Sequence, residues 1–275
     1  MKLYNIYFSP TGTSAKVSGA VTRAIAWTID DCEVVDCNFT QSAAEVAVES
    51  GDVAVIAAPV YGGHLAAPAR RRFEAISGAG ARCIVIAVYG NRAFENAIAD
   101  MAAFAREHGF RPVAAAAFVG EHSYSTDMTP IAAGRPDEED LREAEDFGRR
   151  VGERIASGMT DEVDATALVD EPSPEQSLCN FKAFVAEYQK KQAEAPRKFL
   201  PEVDAERCSG CGTCAEVCPT GAISADGLAL DADRCIKCCA CVKVCPEQAR
   251  TFYTPFARPL SENFQARKRP RFVIA

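Results

Sequence analysis

The chain has 275 residues, 48% hydrophobic and 25% charged, with a formal net charge of −8. That length exceeds one typical domain, and no uninterrupted apolar run approaches the roughly 18 residues needed to span a bilayer, so the expectation is a soluble cytoplasmic protein of more than one module with no membrane span. The acidic balance disfavours nucleic acid as a partner, and thirteen cysteines, an odd number with no charged and apolar leader ahead of the first strand, argue against an extracellular disulfide framework.

Residues 1–157 alternate strand-like and helix-like patterns. A short apolar strand from Leu3 to Phe8 runs into Ser9-Pro10-Thr11-Gly12-Thr13-Ser14, after which Val17, Ala20, Val21, Ala24 and Ile25 recur with helical spacing. Further strands are expected at Glu33 to Asp36, Val53 to Ala58, Ile84 to Val88 and Val113 to Val119, mostly rich in Val, Ile and Ala as buried parallel strands are. Helical patterns lie between them, clearest at Phe94, Ile98, Met101 and Ala105 and at Leu141, Ala144, Phe147, Val151 and Ile155. Five strands with crossing helices predict an α/β fold built on a doubly wound, five-stranded parallel sheet.

Such a sheet binds its ligand beyond the carboxyl ends of its strands. The first loop there is rich in hydroxyls and opens a helix, so Ser9, Thr11, Gly12, Thr13 and Ser14 with free backbone N–H groups form a cup for a phosphate. The spacing is not that of a Walker loop, and a monophosphate held by neutral donors fits better than a nucleotide triphosphate. The third strand leads into Pro59-Val60-Tyr61-Gly62-Gly63-His64 and the fourth into Tyr89-Gly90-Asn91-Arg92. Each combines an aromatic ring, a face for a flat cofactor, with glycine, which allows close backbone approach. The flat cofactor with one phosphate is FMN. His64, Tyr89 and His122, the last in the loop after the fifth strand, are the candidates for supplying a proton. His108 before Gly109 suits a helix end, and Trp27 is expected to pack.

Residues 158–199 read as a linker. Asp161 to Pro174 is acidic and proline-bearing, as an exposed connection is, and Leu178 to Ala195 turns helical with Phe181, Phe184, Val185 and Tyr188 on one stripe that is expected to dock on a domain.

Residues 200–253 write one spacing twice. Cys208, Cys211, Cys214 and Cys218-Pro219 are followed 27 residues on by Cys235, Cys238, Cys241 and Cys245-Pro246. Three cysteines at two-residue gaps aim into one pocket, and the fourth, after a longer gap and before proline, ligates the other cluster. The expected sets are Cys208, Cys211, Cys214 and Cys245 on one [4Fe-4S] centre and Cys235, Cys238, Cys241 and Cys218 on a second. Zinc, which closes with paired spacing, is the weaker alternative. Cys239 is a spare within the frame, and Cys32, Cys37, Cys83 and Cys179 are expected to pack as small hydrophobes. Lys237 and Lys243 flank ligands of the second cluster and should raise its potential. Where the first half has Ile223 the second has Arg250, which puts the apolar shielding of the second cluster in question. The tail, 254–275, ends in Arg267, Lys268, Arg269 and Arg271, about +4 over residues 265–275 against about −6 over 1–157. These charges could fold back on the acidic body or grip an acidic partner.

The segment Ser9 to Ser14 matches the flavodoxin phosphate loop [ST]-x-T-G-x-[ST]. With the cysteine repeat appended, the chain resembles the fused flavodoxin-like and bacterial-type two-cluster ferredoxin electron-transfer proteins of anaerobes, the EFR-type ferredoxins. The resemblance covers residues 1–157 and about 200–253. It implies FMN on the first domain, two [4Fe-4S] clusters on a small α+β second domain, and redox proteins as partners. An FMN-dependent reductase of a small molecule and an iron-sulfur subunit of a larger complex are the alternatives.

Overall fold

The computed structural model describes residues 1–275. Five strands, β1 Lys2–Tyr7, β2 Glu33–Asn38, β3 Val53–Tyr61, β4 Arg82–Tyr89 and β5 Arg111–Val119, run parallel in the order β2-β1-β3-β4-β5. That is the doubly wound order of a flavodoxin-like sheet, with its switch between β1 and β3. A sixth strand, β6 Arg271–Ile274, pairs antiparallel with β5 through Arg271 to Ala117 and Ile274 to Ala114 and closes that edge.

The central strands are buried on both faces, so they carry continuous Val, Ile and Ala runs. On one face pack α1 Thr13–Trp27 and α4 Glu138–Ala156. Val17, Val21 and Ile25 of α1 and Ala144, Phe147, Val151 and Ile155 of α4 share a core with Val55, Ile84, Ile86 and Phe118. Asp137 caps α4 by accepting from the N–H groups of Glu139 and Asp140, and three acidic residues fill its first turn. On the other face lie α2 Ala67–Phe73 and α3 Ala97–Glu107, where Phe73 meets Phe39 edge-on and Phe104 at a tilt. His108 ends α3 and stacks on Phe104. Trp27, expected to pack, is 91% exposed, because it falls in the last turn of α1 beyond the stripe that ends at Ile25.

The chain divides into two units. The first holds Met1–Glu121, Gly134–Glu171 and Lys268–Ala275; the second holds His122–Ala133 and Pro172–Arg267. Residues 158–171, expected to be an exposed connection, belong to the first unit. Met159, Val163 and Ala165 are buried, and the Val163 N–H donates to the Pro112 carbonyl at 2.9 Å. The apolar residues between the acidic ones carry that packing. The basic tail likewise folds back, with β6 in the sheet.

The second unit contains α5 Glu175–Glu194, the cysteine repeat with its short helices α6 Thr213–Glu216 and α7 Ala240–Lys243, and α8 Ala257–Asn263. The aromatic stripe of α5 docks within this unit: Phe181 meets Phe264, and Phe184 and Tyr188 meet Phe256 edge-on. Cys179, expected to pack, is exposed on α5. No helix is long and apolar enough to cross a membrane.

Candidate functional site

Each half of the cysteine repeat starts from an aspartate turn. The N–H groups of Glu206 and Arg207 donate to Asp204 Oδ1 at 3.0 and 3.3 Å, and those of Asp233 and Arg234 donate to Asp231 Oδ1 at 2.9 and 3.3 Å. The Cys208 and Cys235 N–H groups then bond to the carbonyls of Asp204 and Asp231. Such turns are a habit of aspartate, and the recurrence of Asp four residues before each first cysteine was a readable signal that the sequence argument missed. The halves exchange bonds: Asp204 N–H donates to the Ala249 carbonyl at 2.8 Å, and Asp231 N–H to the Ala222 carbonyl at 2.7 Å. Residues 202–203 and 250–251 pair antiparallel between them.

This crossing gathers the thiols into two groups. Cys208, Cys211, Cys214 and Cys245 line one hollow, and Cys218, Cys235, Cys238 and Cys241 line another. The backbone is shaped to the first hollow: a Cβ on Gly227 would lie 3.1 Å from Cys214 Sγ. The fourth cysteine of each half already accepts a backbone hydrogen bond, Cys218 Sγ from Ala222 N–H at 3.2 Å and Cys245 Sγ from Ala249 N–H at 3.3 Å. Four soft thiols around one hollow suit an iron-sulfur cluster.

Burial pushes the Cys238 thiol up to about 11 and the Cys241 thiol up to about 12, while hydrogen bonding to Thr213 holds Cys211 below its ordinary value. Thiols must lose their protons to become ligands. Cys239 Sγ points to the Lys237 carbonyl at 3.6 Å. Lys243 Nζ donates to the Ser125 carbonyl at 2.8 Å. Arg250, placed by its repeat position beside the second cluster, lines the hollow of Cys208 while its charge also opposes the burial that raises the Cys241 and Cys235 thiols; Ile223 lines the other hollow. The antiparallel crossing explains the exchange, since the segment after each fourth cysteine runs toward the hollow that cysteine serves.

At the carboxyl edge of the sheet, Gly12 adopts φ 84° and caps α1. Ser9 Oγ accepts from the Ala15 N–H at 3.0 Å, and the first turn leaves the N–H groups of Thr13 and Ser14 without intrahelical acceptors. Ser14 Oγ is fully buried and has no partner. Thr11 and Thr13 are half-buried beside it. Gly120 keeps the exit of β5 close, since a Cβ there would lie 3.0 Å from Thr13 Cβ. Neutral hydroxyls and free N–H groups of this kind fit a phosphate.

The two other loops are tighter than expected. β3 runs on through Pro59, Val60 and Tyr61 and turns at Gly62 (φ 61°) and Gly63 (φ 84°) into the short strand His64–Leu65. A two-residue hairpin of type I′ has positive φ at both turn positions, which glycine supplies. Tyr61 is half-buried there. The loop of Gly90, Asn91 and Arg92 is held from two distant segments: Asp170 accepts from the N–H groups of Phe94 and Glu95 at 2.7 and 2.9 Å, and Lys268 Nζ donates to the Arg92 carbonyl at 2.6 Å. Asp170 and Lys268 carried no sequence signal for this role. Arg92 itself pairs with Glu95 at 2.5 Å.

Tyr89, expected to offer a stacking face or a proton, is buried in the core. Only 2% exposed, its ring lies edge-on to Phe94, its hydroxyl is buried without a partner, and burial raises its pKa. It ends a fully buried strand, so its side chain enters the core. His64 Nδ1 lies 2.8 Å from Asp100 Oδ2 on an exposed surface. His122 falls in the second unit, where its Nδ1 accepts from the Tyr124 N–H at 3.0 Å. The geometry of the sheet edge therefore supports a phosphate cup and one aromatic loop.

Comparison with known proteins agrees with the cysteine reading in part of the chain. The 4Fe-4S binding domain family matches residues 201–224 and 228–251. No curated protein matches the chain. Among solved structures the chain is similar to a flavodoxin from the domain Archaea (16% identity, TM-score 0.40, 57% of this chain and 99% of that one). It is also similar to the flavodoxin of Streptococcus pneumonia TIGR4 (17% identity, TM-score 0.39, 58% and 100%) and to oxidised flavodoxin 1 from Bacillus cereus (16% identity, TM-score 0.41, 58% and 99%).

Proposed function

We propose that this chain is an electron-transfer protein that carries FMN on its first unit and two [4Fe-4S] clusters on its second, and that it couples one- and two-electron exchange between redox protein partners. The observation that carries the reading is the pair of four-thiol hollows in a segment that matches a 4Fe-4S binding family. Cys208, Cys211, Cys214 and Cys245 would hold one cluster and Cys235, Cys238, Cys241 and Cys218 the other.

The FMN reading rests on the doubly wound sheet and the buried, unpartnered Ser14 Oγ in a cup of neutral donors. Ser9, Thr11, Gly12, Thr13 and Ser14 would bind the phosphate. Pro59, Val60, Tyr61, Gly62 and Gly63 would border the ring on one side and Gly90, Asn91 and Arg92 on the other, with Tyr61 the aromatic contact. When bound, FMN supplies two-electron and one-electron chemistry, and each cluster passes one electron. The protein's part is to orient these groups, exclude water and set the charge around them. The exposed His64–Asp100 pair supports a second reading, a flavin-dependent reductase of a small molecule in which His64 supplies the proton.

Anaerobically purified full chain should contain about eight iron and eight sulfide per chain with one FMN, in keeping with two four-iron clusters. Colourless protein, or zinc in place of iron, would reject the cluster assignment; iron without flavin would reject the FMN assignment alone. Stopped-flow oxidation of reduced protein separates the two activities. Fast oxidation by redox proteins only supports a carrier, and multiple turnovers with a small acceptor, lost in His64→Ala, support the reductase.

A further inference from the structure

The repeat breaks its own symmetry at one buried position. Ile223, an apolar residue, lines the hollow of Cys218, Cys235, Cys238 and Cys241; its counterpart Arg250 lines the hollow of Cys208, Cys211, Cys214 and Cys245. Arg250 is only 3% exposed. Its Nη2 donates to the Gly227 carbonyl, but Nε and Nη1 are buried and have no partner in the protein. A guanidinium keeps its charge in any protein environment, and buried charges persist where they are paired and hydrogen-bonded. Gly227, whose carbonyl fixes Nη2, faces the thiols closely enough that an added Cβ would lie 3.1 Å from Cys214 Sγ. Arg250 therefore lines a space that it shares with the four thiols and with Asp226 and Glu247; neither carboxylate accepts from Nε or Nη1, so these donors call for another anionic acceptor.

We propose that Arg250 is a positioning residue that supplies hydrogen bonds and positive charge to the cluster held by Cys208, Cys211, Cys214 and Cys245, and so raises that cluster's reduction potential. This rests on the reading of the two hollows as cluster sites. Reduction adds one electron, and one negative charge, with no bond made or broken. Cluster potentials respond to net charge and to hydrogen bonds on sulfur, and the Arg250 charge, itself buried, is less screened than a surface charge. The charge of Arg250 also reaches Cys241 and Cys235 of the second hollow, which Lys237 lines, so it is the unmet donors and not the charge alone that single out the first.

The test is a mediated titration of the full chain with dithionite, read by EPR, after iron and sulfide have been measured. Arg250→Gln should keep its iron and sulfide yet lower one of the two midpoints. At a given applied potential the reduced-to-oxidised ratio of that cluster should fall at least tenfold, a shift of about 59 mV for a one-electron couple. The cluster that moves should be the one whose signal Cys211→Ser perturbs, and Arg250→Lys, which keeps the charge without the forked donors, should fall between. A variant that moves neither midpoint, or only the cluster untouched by Cys211→Ser, overturns the proposal. If Arg250→Gln fails to load, wild-type protein labelled with 15N-arginine decides: pulsed EPR of the reduced state should show nitrogen coupling, and none would overturn the proposal. Wild-type protein without iron or sulfide would be a different failure, that of the cluster reading.

Discussion

Three positions in the cysteine repeat adopt positive φ in both copies, and only one copy fills them with glycine. Gly210 (φ 70°), Gly212 (φ 76°) and Gly221 (φ 57°) correspond at the 27-residue offset to Lys237 (φ 56°), Cys239 (φ 59°) and Gln248 (φ 49°). The loop geometry demands left-handed backbone whatever the side chain, and residues with a Cβ take it at a cost of about 1–2 kcal/mol. This explains Cys239: it occupies the place of Gly212 at the start of a short helix and is no part of the ligand rhythm. The exposed Gln248 gives the cleanest test. Gln248→Gly should stabilise the cluster unit by roughly 0.5–1 kcal/mol, the steric relief being offset in part by the entropy glycine gains on unfolding. The measurement is the denaturation midpoint of the holo-protein under anaerobic conditions, and a lower midpoint would show that the position carries no strain. Superimposing the two halves of the sequence reveals these positions, whereas the side to which Arg250 turns does not follow from such a comparison.

At the scale of elements, α1 and α4 approach through two glycines one turn apart. A Cβ on Gly148 would lie 2.5 Å from the Val21 carbonyl oxygen and 3.0 Å from Val21 Cα; one on Gly152 would lie 3.1 Å from Ile25 Cα. These neighbours are backbone atoms and cannot swing aside. Gly148→Ala should therefore force the helices apart and destabilise the first unit, despite alanine's better helix propensity, by about 1–3 kcal/mol. Urea unfolding followed by circular dichroism checks this, and a stabilised variant would show that the helices separate freely. The apolar periodicity of α4 was plain in the sequence. The role of Gly148 was not, because it depends on which helix lies opposite. The same limit applies to Tyr61, Gly62 and Gly63: glycine pairs suggest a turn, but the continuation of β3 through Pro59 and Val60 depends on its partner strand His64–Leu65.

On the scale of the whole molecule, the chain leaves the first unit at residue 121, re-enters it at 134, leaves again at 171 and returns at 268. The returning segment contributes more than an edge strand. The Lys268 carbonyl accepts from Arg135, which forms a buried ion pair with Asp140 at the start of α4. Lys268 Nζ reaches the Arg92 carbonyl, and Arg269 pairs with Glu143 at 3.4 Å. Phe272 packs on Phe147. Truncation after Arg267 would remove these together and leave Arg135 with one partner fewer. At about 1 kcal/mol net per hydrogen bond and 1.5–3 kcal/mol per large apolar side chain, the first unit should lose on the order of 3 kcal/mol after the regained chain entropy. Flavin content should fall while iron content stays, and a truncated protein that keeps both would show the segment to be dispensable.

Spacing and periodicity are local, and they were enough to reveal a parallel α/β sheet, a hydroxyl-rich loop at its edge and two sets of four cysteines. Each of these depends on residues a few positions apart, whose relation is set by helix pitch, strand alternation and tight-turn geometry. The burial of Tyr89, the exposure of Trp27, the folding back of residues 158–171 and 268–275, and the hollow on which Arg250 lies were settled instead by contacts between segments far apart in the chain. A side chain's environment is the sum of what packs around it, and a pattern confined to its own strand or loop carries only the near half of that sum.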